Sequence, residues 1–210
     1  MPQINLFRAK ATSLPIIAGK TYVLTVTTPG GYATTATCTI PRTEGIRITD
    51  MAVNTTTITY PGGSYTRNNL AYKWQDAPGQ RNYYHTIGGR REGSDPLNPN
   101  VLRVEPFSFT QWNPDQKNFR NDERLDGTIL ASGEAESGLV EDKPFPRSYT
   151  LYSTLAVTDE AYYRYHQSLA QHQESDGNPF AEPTLIYTNI TGGLGIFAGF
   201  NLVTEEKRVE

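Results

Sequence analysis

The chain has a single cysteine, Cys38, among its 210 residues, so no intrachain disulfide can staple the fold. In TATCTI, Cys38 alternates with Ala36 and Ile40 on one strand face, the pattern of a small buried hydrophobe. Methionine is nearly missing, two residues against thirteen tyrosines, a balance that suits half-buried sheets. No apolar run reaches the ~18 residues of a membrane-spanning helix. The opening MPQINLFRAK lacks the apolar core of a signal peptide. Lys/Arg runs are missing too, and the net charge is −3 with a pI near 5.7. That balance argues against a nucleic-acid footprint and against docking on an anionic membrane surface.

Catalytic and metal motifs are equally sparse. There are three histidines. His166 and His172 are six apart, which on a helix points them about 120° apart and forbids chelation of one metal. His85 falls in a separate strand, so the reading is two surface histidines and one packed in a sheet. There is no G-x-S-x-G elbow. Gly88-Gly89-Arg90-Arg91 lacks the pattern of a phosphate loop. Glu123, Asp126, Glu134 and Glu136 could supply paired carboxylates for hydrolysis, as any acidic loop could. Asn121 to Gly127 offers oxygen ligands beside a glycine, as Ca²⁺ requires, but without the spacing of a calcium loop. It is read as a polar turn, and no cofactor is assigned.

What the sequence does contain is strand periodicity. Residues 21–40 form a hairpin around Pro29-Gly30-Gly31, closed by Pro41. A two-stranded hairpin needs further strands or a packing partner, so the chain is expected to enter in the middle of a β-domain. Ile46 and Ile48 follow, then a polar connection over 54–69. Leu70, Tyr72 and Trp74 share one face; Pro78-Gly79 forms a type II turn; Tyr83, His85 and Ile87 share the next face. These segments read as the clearest hairpin. Residues 88–100, 111–127 and 133–147 read as loops, with Trp112 in the polar stretch. Tyr149 to Val157 alternates strongly. Thr158 is the expected cap of one helix, with Asp159 and Glu160 at its positive end and Tyr162, Tyr165 and Leu169 as its stripe. Leu185–Tyr187 and Leu194–Leu202 should complete the sheet, with Gly195 and Gly199 where a neighbour comes close. TEEKRVE should fray.

The segments KTYVLTVTTPGGYATTATCTIP, WQDAPGQRNYY, FRNDERLDGT, TDEAYYRYHQSL and NPFAEPTLIYTNITGGLGIFAG occur in this order. Together they resemble the Bacteroidetes domain-of-unknown-function family numbered 4249, over residues 18 to 203. The last two segments are the most specific. The motif residues Pro78, Gly79, Tyr83, Tyr84, Tyr162, Tyr165, Pro179, Phe180, Glu182, Pro183, Asn189, Gly192, Gly193, Gly195 and Phe197 are read as architectural. Glu182 and Asn189 are expected to hold the Pro-framed loop and the Gly turn.

The resemblance implies a mainly β protein: an antiparallel sandwich or barrel-like domain with one helix near the C-terminus. A partial immunoglobulin- or transthyretin-like domain precedes it. The expected division is 1–42, 43–205 and a tail over 206–210. The resemblance further implies an exported lipoprotein of the outer membrane, whose genes neighbour TonB-dependent receptors, acting as a non-enzymatic binding or accessory protein. The missing signal peptide and lipid-bearing cysteine read as truncation. The partner is then such a receptor or another envelope protein, and the ligand a glycan or small molecule. Trp112, Asp122, Glu123 and Asp126 are the candidate contacts. The alternatives are a carboxylate-dependent hydrolase of glycans or peptides and a surface-packing protein.

Overall fold

The computed structural model describes residues 7–95, 98–106, 108–109, 118–136, 149–175 and 185–209. Among the described residues, the alternating strands of the sequence build three antiparallel sheets. The first is the hairpin of β1 (Thr21–Thr27) and β2 (Ala33–Thr39). The second holds β3 (Arg47–Tyr60), β4 (Gly63–Gln75), β7 (Ser108–Phe109), β9 (Ile129–Ala131) and β10 (Ala135–Glu136). The third holds β5 (Tyr83–Asp95), β6 (Asn98–Pro106), β8 (Phe119–Asn121), β11 (Tyr149–Thr158) and β12 (Phe200–Val209). The strand orders are β3-β4-β10-β7, with β9 also on β4, and β12-β11-β5-β6, with β8 also on β5. Neither sheet closes into a barrel among the described residues. The molecule is mainly β, with one described helix, α1 (Glu160–Ser175).

The two larger sheets pack face to face as a sandwich. Leu70, Tyr72 and Trp74 of β4 meet Tyr84 of β5 and Leu151, Leu155 and Val157 of β11 in one core. Period-two alternation alone places these residues inward. Trp74 stands edge-on to Tyr84, ring centroids 5.2 Å apart, a favoured aromatic geometry. The Tyr72 hydroxyl donates to the Thr154 carbonyl at 2.9 Å and accepts the Ile87 N–H at 3.1 Å. It thereby joins the two sheets with its own buried hydroxyl satisfied.

Several expectations change. The segments flanking Pro78-Gly79 do not pair: β4 lies in one sheet and β5 in the other. The turn chemistry is the same in both cases, so local signals could not tell a hairpin from a sheet-to-sheet crossover. The polar 54–69 connection is itself the far end of the β3–β4 hairpin, registered out to Tyr60↔Gly63. The 88–100 loop is strand through Asp95, pairing β6 as Gly89↔Pro106 to Asp95↔Asn98. The expected fraying does not hold for Thr204 to Val209, because β12 pairs β11 from Thr158↔Phe200 to Tyr149↔Val209. Its Glu205, Glu206, Lys207 and Arg208 are the charges that guard an exposed sheet edge.

The helix lies on the outer face of β5. Tyr163 packs on Tyr83 at 5.1 Å and Tyr162 on His85 at 5.9 Å. Its cap is Asp159 rather than Thr158, which ends β11 and is buried. Asp159 Oδ1 accepts the Tyr162 N–H at 2.9 Å and Oδ2 the Gly199 N–H at 3.0 Å. One carboxylate thus satisfies a helix end and anchors the chain entering β12. Burial raises its pKa, and these N–H bonds oppose the shift.

Residues 185–199 add no strand, only a bridge between Thr191 and Thr35. They form a strap that binds β2 to the sandwich. Asn189 Nδ2 donates to Phe197 O at 2.7 Å and to Thr37 O at 3.1 Å, while its Oδ1 accepts the Phe197 N–H at 3.0 Å. Gly192 and Gly193 lie over Ala33 and Thr34. Of the two glycines expected to face a close neighbour, only Gly199 does: a Cβ there would lie 2.6 Å from Ile40 Cδ1, whereas Gly195 has open space. Pro179, Phe180, Glu182 and Pro183 lie outside the described residues. Cys38 is buried with Ala36 and Ile40, and burial raises its thiol pKa.

Candidate functional site

Two crossovers run side by side at one end of the sandwich. One, residues 76–82, links β4 to β5; the other, residues 122–128, links β8 to β9. Carboxylates at their bases meet. Oxygens of Asp76, Asp122 and Asp126 lie within 4.8 Å of one another, with Asp76 and Asp122 buried and Asp126 exposed.

The hydrogen bonds are reciprocal. Asp76, on the first crossover, accepts the Gly127 N–H of the second at 2.7 Å. Asp126, on the second, accepts the Gly79 N–H of the first at 2.9 and 3.1 Å. Asp122 Oδ2 accepts the Asn82 N–H at 2.9 Å. The backbones join as well, Asp76 N–H to Thr128 O at 3.0 Å and Asp122 N–H to Asn82 O at 3.3 Å. Asp76 Oδ1 also accepts the Tyr84 hydroxyl, and the Asn82 amide at 3.1 Å. Three donors therefore converge on a carboxylate that is 0% exposed, as a buried charge requires.

The local conformations serve this clasp. Gly79 has φ +83°, the left-handed residue of a type II turn, and this aims its N–H at Asp126. Gly127 has φ +69°, and a Cβ there would stand 2.9 Å from Pro78 Cβ. Gly127→Ala should therefore cost about 2 kcal/mol from combined backbone strain and overlap. Urea unfolding checks this; a loss under about 0.5 kcal/mol would mean that the crossovers separate easily.

Burial raises the pKa of Asp122 most; the N–H of Asn82 lowers it, and the charges of Asp76 and Asp126 raise it further. The cluster is a carboxylate group held at close quarters by amides. Three oxygens at this spacing also match the oxygen donors of a hard cation such as Ca²⁺. Trp74 stands edge-on to Tyr84, whose hydroxyl pKa is raised first by burial and then by its bond to Asp76.

Of the candidate contact residues, the structure brings Asp122 and Asp126 together and adds Asp76. Glu123 points away, to Arg81 at 3.3 Å on the surface. Trp112 lies outside the described residues. Asp76 was missed, although it continues the inward parity of Leu70, Tyr72 and Trp74. An acid on a core-facing position was the available signal.

A second cluster lies under α1. His85 stacks on Phe119 at 4.3 Å, its Nδ1 lies 3.1 Å from the Tyr162 hydroxyl, and its ring is 6.2 Å from that of His166. His166 in turn stacks on Phe119 at 5.1 Å, so it is a packing residue rather than a surface histidine. Burial, then the charge of His166, lowers the His85 pKa to about 4; burial lowers that of His166 as well.

The fold and the clasp define an open, mainly β sandwich with one helix on its outer face and a strapped N-terminal hairpin. The chain belongs to the domain-of-unknown-function family DUF4249, whose family model matches residues 3–206. No curated protein and no solved structure matches it significantly. No helix among the described residues is long and apolar enough to cross a membrane.

Proposed function

We propose that this protein is a non-catalytic binding or accessory protein of the bacterial cell envelope, working beside a TonB-dependent outer-membrane receptor in nutrient uptake. The envelope and receptor setting rests on the family resemblance, an associational warrant. The observation that favours binding over hydrolysis is the reciprocal clasp. Asp122 and Asp126 direct oxygens at backbone amides of the neighbouring crossover, whereas a catalytic acid or base must reach substrate. Glu123 stands apart in a surface ion pair. In this reading the clasp fixes a rigid end of the sandwich, and the polar segment containing Trp112 and Glu123 makes the contacts.

Affinity isolation of the native, membrane-associated protein from solubilised outer membranes tests this. Stoichiometric recovery of a TonB-dependent receptor is the expected result, and recovery without any receptor would overturn it. Trp112→Ala is expected to lower that recovery at least fivefold while leaving the unfolding midpoint unchanged. For the hydrolase alternative, the decisive result is a glycan- or peptide-cleaving activity abolished by both Glu123→Gln and Asp126→Asn.

A further inference from the structure

Two of the edge strands among the described residues, β12 and β3, differ in a way that points to a partner. The edge strand β12 carries Glu205, Glu206, Lys207 and Arg208, charges that discourage pairing with another chain. The far half of β3, Asn54-Thr55-Thr56-Thr57-Ile58-Thr59-Tyr60, carries no charge and no proline. It stands at the end of the order β3-β4-β10-β7, and no other described strand pairs it. Its register on β4 runs without a shift from Asp50↔Lys73 to Tyr60↔Gly63, the only irregularity lying between Ile48 and Asp50. The strand is therefore regular and presents a continuous row of backbone groups. Thr56, Thr57, Thr59 and Tyr60 are exposed, so this half of the hairpin gains little from the core, and a two-stranded ribbon is marginal in water.

The sequence of this edge is self-complementary. An antiparallel pairing about a two-fold axis at Thr57 sets Thr57 opposite Thr57, Thr56 opposite Ile58, Thr55 opposite Thr59 and Asn54 opposite Tyr60. Threonine and β-branched pairs are favourable cross-strand neighbours, and no like charges meet. An isologous contact of this kind closes on itself and ends with two copies.

We propose that a second copy of this chain adds to the sheet through the 54–60 edge of β3, making one continuous sheet across a two-fold axis. The contact is a short edge, so the dimer is a moderate-affinity one that a membrane surface would favour by concentration.

Sedimentation velocity over roughly 1 to 200 μM, at 0.15 M salt, is the test. The wild-type chain is expected to shift from monomer to dimer within that range. Thr57→Lys and Thr57→Glu each set like charges across the axis and are expected to weaken association at least tenfold. Their equimolar mixture sets Lys opposite Glu and is expected to recover it. Thr57 is exposed, and matched circular dichroism melts establish that each variant is folded. A wild-type chain monomeric throughout would overturn the proposal, as would a dimer indifferent to both substitutions.

Discussion

Acidification from pH 7 to pH 4 is expected to loosen helix α1 from its sheet. The cause is the aromatic box in which His85 and His166 share the face of Phe119. A histidine whose folded pKa is lowered is favoured neutral in the fold, and the unfolded chain then binds more protons across the window between the two values. For His85 that window runs from the ordinary imidazole value of 6.5 down to about 4. Its contribution is full above pH 6.5 and falls away as the pH drops, by at most about 3 kcal/mol. His166 acts in the same direction. Asp122 acts oppositely, since its raised pKa makes protonation favour the fold.

The groups facing His85 include the Tyr162 hydroxyl and the His166 ring on α1 and Phe119 on β8; none carries a negative charge that would offset imidazolium. Tyrosine near-ultraviolet circular dichroism should report the loosening, because Tyr162 and Tyr163 pack at this interface. His85→Phe keeps a ring against Phe119 but cannot be protonated, and should remove most of the slope between pH 6.5 and 4. An unchanged slope in that variant would place the acid sensitivity elsewhere.

Asp76→Ala should cost about 4 kcal/mol, enough to unfold a marginal domain. The substitution leaves three donors without their acceptor: the Tyr84 hydroxyl, the Asn82 amide and the Gly127 N–H. Buried orphaned donors cost about 1–3 kcal/mol each. Asp76→Asn keeps one carbonyl oxygen but turns its amide toward donors, and should cost about half as much. Tyr84→Phe removes only one donor and should cost about 1 kcal/mol. The double variant Asp76→Ala/Tyr84→Phe should be less destabilised than the sum, because the phenyl ring no longer needs an acceptor. Strict additivity in denaturant unfolding would show that the two groups act separately.

The strands were legible from alternation wherever one face is buried. Leu70-Tyr72-Trp74 and Leu151-Ser153-Leu155-Val157 are inward in sequence and in structure. The distal β3–β4 and β5–β6 stretches were not legible. Much of the first is exposed, so no hydrophobic period marks it, and its pairing is carried by the backbone. The site was half legible. Asp122 and Asp126 announce themselves in an acidic turn, whereas Asp76 comes from a segment 46 residues earlier in the chain and joins them only because β4 and β5 lie in different sheets. The same non-local pairing hid the contact of His85 with His166. The strap over 185–199 was misread because NITGGLGIFAG alternates like a strand while its glycines adopt turn conformations, with φ +79° at Gly192 and +120° at Gly195.

Carboxylates of each crossover hold backbone amides of the other. Amide hydrogen exchange at Gly127 and Asn82 tests this clasp most directly. Both N–H groups lie outside regular strands yet are bonded to Asp76 and Asp122. They should exchange about as slowly as the amides of Leu155 and Val157 in β11, which is paired on both sides, and the Gly127 amide should lose that protection in Asp76→Asn. Exchange of both amides as fast as a solvated loop in the wild-type chain would contradict the clasp.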